Sequence, residues 1–222
     1  MNAAISNLPV TSIADADSAD SQTWRLQRRS SLYNAPSKFL ERKMATLHDT
    51  ITPELTAWIG KQKIFFVSTA PLANDGHVNC SPKGLDSFRV LGPRCVAYLD
   101  LTGSGIETIA HLRENGRIVL MFCAFEGPPK IVRLHGRGTV LTPGKASFNE
   151  LRPNFPDAPG VRSIITIEVT RISASCGYGV PMFDSVKDRD HLIKYNAAKG
   201  EDALSTYRRT KNALSVDGLR GL

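Results

Sequence analysis

The sequence predicts a mainly β fold with peripheral helices, of the α+β class, in which antiparallel strands form a closed or partly closed barrel. Six strand-like apolar runs follow one another with mostly short connections. Only one helical pattern lies between them, whereas a doubly wound parallel sheet needs a helix between most of its strands. The other helical patterns lie before the first run and after residue 186.

The first 43 residues predict an N-terminal extension rather than a folded domain. Residues 1–23 are rich in Ala, Ser, Asp and Asn and have almost no large apolar side chains after Val10, so they cannot offset the entropy of ordering and should be disordered. The basic stretch 24–43 resembles a targeting segment, but the aspartates upstream are unusual for one. We therefore divide the chain into this extension, a barrel domain over 44–185 and a C-terminal helical tail over 186–222.

The first predicted helix spans 53–60. Thr52 is an N-cap candidate, and Pro53 occupies the first helical position, where its missing N–H does no harm. Leu55, Trp58 and Ile59 then follow at helical spacing.

The predicted strands share runs of β-branched and aromatic residues bounded by turn residues. Between the first two lies Asn-Asp-Gly at 74–76, a hairpin signal. A helix is expected between the third and the fourth. The six strands are 64–70, 78–91, 94–101, 117–125, 130–141 and 163–172.

The run IVLMFCAF at 118–125 is apolar on both faces, which is typical of a central strand that is covered on both sides. It needs a covering element or a partner subunit. The tail predicts two polar helices, divided near Gly200, that could cover an open face of the barrel.

Composition narrows the possible functions. No run approaches the roughly 18 apolar residues of a membrane helix, and the formal charge of +7 comes from Lys and Arg spread along the chain without a basic block. We therefore expect no membrane and no nucleic-acid partner. The four cysteines form no C-x-x-C pair and the histidines no H-x-x-x-H spacing, so we expect no metal site, and reduced thiols in the cytoplasm.

The second strand carries an unusual break, Ser81-Pro82-Lys83-Gly84. Proline cannot donate a ladder hydrogen bond and glycine weakens a strand, so the break indicates a sheet edge, a bulge or a close approach to a ligand. Lys83 is either the cation of such a ligand site or a solvated turn lysine.

A second glycine-containing segment, TGSGIET at 102–108, lies between a strand and a helix. Free backbone N–H groups and the helix dipole at such a start can bind a phosphate. Alternatively, Ser104 and Glu107 have the S-x-x-E spacing of a capping box, which would satisfy the helix start by itself. Neither a dinucleotide fingerprint nor a P-loop is present.

The run from IFFVSTAPLANDGHVNCSPKG through YLDLTGSGIETIAHLRENGRIVLMFCAFEGPP to RLHGRG resembles the pyridoxamine 5′-phosphate oxidase-related, FMN-binding split-barrel family. SCGYGVP at 175–181 and KNALSVDGL at 211–219 resemble the same branch. The resemblance implies a six-stranded antiparallel split barrel that forms a homodimer, with FMN in clefts built from both subunits.

The resemblance also implies a set of cofactor-binding residues. One group would line the flavin or its phosphate, another would surround the phosphoribityl end, and a third would lie beside the isoalloxazine ring. In that order they are Ser81, Pro82, Lys83 and Gly84; then Ser104, Gly105, Glu107 and Thr108; then, as weaker candidates, Cys176, Gly177 and Tyr178. The alternatives are that Cys176 is a buried inert thiol and Tyr178 a core aromatic.

One departure from the family pattern concerns the helix start. An Arg-Lys pair typical of the true oxidases is replaced by Glu107 and Thr108, and a carboxylate beside a phosphate repels it. We expect an FMN-dependent oxidoreductase that acts on a small molecule whose identity the sequence does not reveal. A flavin carrier or sensor without turnover and an enzyme that uses the deazaflavin F420 are the alternatives, and no residue stands out as a catalytic acid or base.

Overall fold

The computed structural model describes residues 45–222 of the chain, so the predicted extension over 1–43 lies outside the described residues. These described residues contain eight strands and four α-helices. The strands are β1 (Ala45–His48), β2 (Phe65–Thr69), β3 (Asn79–Lys83), β4 (Phe88–Gly92), β5 (Cys95–Leu101), β6 (Arg117–Cys123), β7 (Ile131–Leu141) and β8 (Val161–Ser175). The helices are α1 (Pro53–Gly60), α2 (Glu107–Asn115), α3 (Ala146–Leu151) and α4 (His191–Lys211), and a 3-10 turn, Arg152–Asn154, follows α3.

All strand pairs are antiparallel, in the order β3-β2-β6-β7-β8-β5-β4, and β1 pairs with the end of β8. This is the predicted mainly β fold with peripheral helices, a split barrel. The strand count is eight where six were predicted. The stretch 78–91 forms two strands, and β1 is a segment of only four residues, too short for a clear strand pattern, which pairs with β8.

The predicted N-cap of α1 and the predicted division of the tail helix α4 are confirmed. The Thr52 hydroxyl accepts a hydrogen bond from the Leu55 N–H at 3.2 Å, as expected for an N-cap. In α4, Gly200 has φ of 71° and interrupts the helical geometry, which matches the predicted division of the tail.

The side chains of alternate strand residues fill the barrel interior. An aromatic cluster lies at its centre: Phe65 contacts Phe88, Tyr98 and Phe122 at centroid distances of 5.4, 5.7 and 5.5 Å. Helices α1 and α2 add their buried faces to the same core. As predicted, β6 is central, with β2 and β7 on either side of it.

The break at residues 81–84 is a sheet edge. Pro82 lies within β3 and pairs with Phe66, while the other side of β3 has no neighbour among the described strands. Proline is tolerated in such an edge strand, where part of the backbone has no ladder partner. Beyond Gly84 the chain turns sharply through Leu85 and Asp86, whose φ values of 61° and 52° are uncommon for residues with a side chain.

Candidate functional site

The end of β3, the loop after β5 and the start of α2 meet around a cleft of about 280 Å³. The two glycine-containing segments, which are about twenty residues apart in the sequence, thus line one cleft. Seven of the ten residues predicted to bind a cofactor contribute to its walls: Ser81, Pro82, Lys83, Gly84, Gly105, Glu107 and Thr108.

The other three predicted residues lie elsewhere in the described chain. Ser104 is exposed and sits between two lining glycines, without lining the cleft itself. Gly177 and Tyr178 follow the C-terminal end of the 15-residue strand β8, whereas the cleft lies at its N-terminal end. Tyr178 is 64% exposed rather than packed in the core, and Cys176 is also exposed. Within one chain these residues are therefore separate from the cleft.

The Lys83 side chain is partly buried and forms an ion pair, unlike a solvated turn lysine. Its Nζ lies 3.3 Å from Oδ1 of Asp100, and its side chain is 24% exposed. Asp100 is buried in β5 and also binds Arg162, whose Nε lies 2.7 Å from Oδ2 and whose Nη2 lies 3.2 Å from Oδ1. One buried carboxylate thus holds two cations at the cleft wall.

Burial by itself would raise the pKa of the Asp100 carboxyl, but the charges of Arg162 and Lys83 and their hydrogen bonds outweigh it, so that pKa lies below its ordinary value. Burial would likewise lower the pKa of Arg162, and the Asp100 charge outweighs this and raises it. The pair is therefore ionised at neutral pH.

Arg162 and Asn212 fix the loop that carries the lining glycines. The Arg162 Nη1 donates to the Gly105 carbonyl at 2.8 Å and to the Asn212 Oδ1 at 3.0 Å. The Asn212 amide in turn donates to the carbonyls of Gly103, at 3.1 Å, and Ser104, at 3.3 Å. Two buried side chains thus hold three successive carbonyls of the loop.

The tail makes a second contact with this region. The Arg208 Nη1 donates to the Thr102 hydroxyl at 3.0 Å, and that hydroxyl donates to the Gly160 carbonyl at 2.9 Å. The buried Asn196 Nδ2 lies 3.4 Å from the Thr102 carbonyl. Residues after 186 therefore support the loop as well as packing on the barrel.

The capping-box alternative for the start of α2 is wrong. The N-cap is Ile106, and among residues 45–222 no side-chain hydrogen bond caps the helix start. Because the helix begins at Glu107, Ser104 is two residues too early to cap it. The first-turn N–H groups therefore remain available to a ligand. The positive end of the helix dipole lies at the cleft, because Glu107 and Thr108 of the first turn line it.

Polar side chains connect the two walls. The Asn79 amide on β3 donates to the Thr108 hydroxyl on α2 at 3.0 Å, and its Oδ1 accepts from the Ser81 hydroxyl at 3.1 Å. Among the described residues the buried Ser87 hydroxyl has no hydrogen-bond partner, and burial raises the pKa of Tyr98 well above its usual range. Tyr98 is therefore neutral.

Asp100, Arg162 and Asn212 were missed by the sequence reasoning. Asp100 interrupts the apolar strand VAYLDL, and Arg162 directly precedes the apolar run SIITIEV. A charge in an apolar strand needs a partner, and that was the available signal. Asn212 carries no comparable signal, because its role depends on where the tail folds.

Comparison with known proteins agrees with this architecture. The pyridoxamine 5′-phosphate oxidase family model matches residues 51–176. A pyridoxamine 5′-phosphate oxidase family protein of Aspergillus flavus, ustO, is 38% identical over 199 residues, which cover 81% of this chain and 78% of that protein.

Solved structures with a similar fold include HupZ of Group A Streptococcus, at 24% identity, a TM-score of 0.43 and coverage of 55% of this chain and 91% of that one. An FMN-binding protein of Syntrophomonas wolfei gives 16% identity, a TM-score of 0.39 and coverage of 53% and 80%. None of the helices in residues 45–222 combines the length and apolar composition that a bilayer-spanning segment needs. By the family match and the identity to its relative, the chain belongs to the pyridoxamine 5′-phosphate oxidase family.

Proposed function

We propose that the protein binds FMN in this cleft and is an FMN-dependent oxidoreductase that acts on a small molecule. The observation that carries the proposal is the convergence of Lys83, the glycine loop and the uncapped start of α2 on one cleft. Each of these features suits an anionic ligand: a lysine offers a positive charge with three donors, a glycine allows close approach, and a helix start offers free N–H groups.

The described residues fit a flavin in polarity as well as in charge. Leu85, Leu99, Leu101 and Leu192 line the cleft beside the polar groups and supply apolar surface for a ring system. At about 280 Å³ the cleft of one chain is slightly smaller than the roughly 300–1,000 Å³ of small-molecule sites, which supports a second wall from another subunit. When bound, FMN supplies hydride or electron transfer, while the protein supplies position and electrostatics.

The work of this chain's own residues is to hold and orient the cofactor. Arg162 and Asn212 hold the loop carbonyls, so the loop need not be ordered when a ligand binds. Lys83 presents its charge at the wall, where Asp100 keeps the ammonium in place.

We also propose that the protein is a homodimer. On the outer face of the sheet, Phe66, Val119 and Met121 are neighbours and are only half-buried within the chain. A second copy would cover this apolar patch and would allow Gly177 and Tyr178 of one chain to approach the cleft of the other. Four cysteines without a disulfide, two of them exposed, support a reducing compartment, the cytoplasm.

The test is the absorption spectrum of the purified protein, followed by anaerobic addition of candidate reductants such as NADPH and readmission of air. We expect a flavin spectrum that bleaches on reduction and returns in air. A bound flavin that no reductant bleaches would favour a carrier or sensor, and a deazaflavin spectrum would favour F420. A protein that neither contains nor takes up a flavin would refute the proposal.

A further inference from the structure

Glu107 is an unpaired carboxylate inside the candidate cofactor cleft. It is the first residue of α2, is half-buried and lines the cleft. Its side chain folds back over the glycine loop, so that Oε2 lies 2.5 Å from the place where a Cβ on Gly105 would be. Among residues 45–222 it forms no ion pair with a lysine, an arginine or a histidine.

The cations of the cleft have no spare positive charge to balance Glu107. Lys83 and Arg162 are its two cations, and both are bound to the one carboxylate of Asp100. Lys83, Arg162 and Glu107 line the cleft, and Asp100 binds both cations from behind the wall, so these four charges sum to zero. Glu107 therefore offsets part of the attraction that Lys83 and the helix start offer to an anion, although the whole chain carries a formal charge of +7.

The cleft also offers hydrogen-bonding groups that suit neutral ligand atoms. Ser87, which is 6% exposed, lines the cleft, and its hydroxyl has no partner within the described residues. A carboxylate accepts hydrogen bonds from ligand hydroxyls, while it repels a phosphate held at the same helix start. The helix N-terminus and Glu107 thus act in opposite directions on a phosphate, but in the same direction on a polyol.

We propose that Glu107 is a specificity-determining residue, which lowers the preference of this cleft for a flavin phosphate over the corresponding flavin with a neutral ribityl chain. The inference rests on the proposed function, because it concerns the selectivity of the same cleft. It predicts that the protein binds FMN and riboflavin with similar affinity, and that neutralising the Glu107 carboxylate raises the preference for FMN.

The experiment is a fluorescence titration of FMN and of riboflavin into wild type and Glu107→Gln, at low and at high salt. Glu107→Gln preserves the shape of the side chain and removes its charge. We expect it to tighten FMN binding about tenfold and to leave riboflavin within about threefold of wild type. High salt should shrink the gain for FMN, since it screens charges that solvent can reach.

Glu150→Gln is the matched control, because Glu150 is an exposed glutamate on α3 outside the cleft; it should change neither affinity. If Glu107→Gln fails to fold, Glu107→Ala provides the same comparison, and thermal unfolding of each apoprotein establishes which variants are folded. Flavin binding with an unchanged ratio of FMN to riboflavin affinity in the folded variant would overturn the inference and leave the proposed function standing. Failure of wild type to bind either flavin would overturn both.

Discussion

The buried Asp100 carboxylate gives the sharpest test of how this structure is held together. Replacing it by asparagine removes one charge and leaves Arg162, whose side chain is 5% exposed, as a buried cation without a counterion. Breaking a buried pair from one side typically costs about 3–5 kcal/mol of the free energy of unfolding. We expect Asp100→Asn to fall in this range, which is a large part of the stability of an ordinary domain.

Asp157→Asn is the matched control. Asp157 binds Arg152 at 2.9 Å, but its side chain is fully exposed, so the pair is of the surface type that contributes little. Wild type and both variants are unfolded with urea as apoproteins. The slope of the free energy of unfolding against urea concentration is compared among them, to establish that the unfolded states are alike. A loss in Asp100→Asn no greater than in Asp157→Asn would refute the argument that the buried pair stabilises the fold.

The same variant has a pH signature. The pKa of Asp100 in the folded protein lies below its ordinary value of 3.8, so between the two values the unfolded state binds more protons. The contribution of Asp100 is therefore fully present above the unfolded pKa and is lost as the pH falls through the folded one. The decline of stability from about pH 5 downward should be shallower in Asp100→Asn than in wild type.

Four further predictions concern the proposed binding and assembly. Lys83→Ala should lower flavin affinity by about 1.5–3 kcal/mol in a fluorescence titration, because a charge-assisted hydrogen bond is lost, whereas Lys61→Ala, an exposed lysine after α1, should not; equal affinities would return Lys83 to a purely structural role. Asn212→Ala should weaken flavin binding about tenfold or more by releasing the loop carbonyls, and the exchange of loop amide hydrogens should speed up; unchanged exchange would contradict this. Met121→Lys should convert the dimer to a monomer by light scattering and reduce flavin binding, and a dimer that survives would exclude this face as the interface. Deleting residues 1–43 should leave the thermal transition and flavin affinity unchanged, and loss of either would show that the segment belongs to the folded domain.

The strand count shows how an edge can be misread. Residues 78–91 read as one interrupted strand, since both ends carry β-forming residues. In the fold the two halves, β3 and β4, lie at the opposite ends of the hydrogen-bonded order. The turn between them needs positive φ at Leu85 and Asp86, which aspartate tolerates but which leucine rarely adopts. Here the closure of the barrel outweighs local propensity.

Local interactions are what the sequence by itself determined about this protein. The cap at Thr52, the central apolar strand β6 and the interruption at Gly200 all depend on neighbours a few residues apart. The paired segments at 81–84 and 102–108 were also identifiable, because proline and glycine have strong backbone preferences wherever they occur.

Only the tertiary structure decided how the cleft is held. Asp100 and Arg162 are 62 residues apart and Arg162 and Asn212 are 50 apart, and no local pattern in the chain pairs them. The capping box failed for a related reason, since the loop carbonyls are bound to Arg162 and Asn212 and α2 begins beyond the reach of Ser104. A buried charge needs a partner, but which partner it finds depends on the packing of distant strands and of the tail, because burial makes the contact strong while the sequence separation leaves it without a local signature.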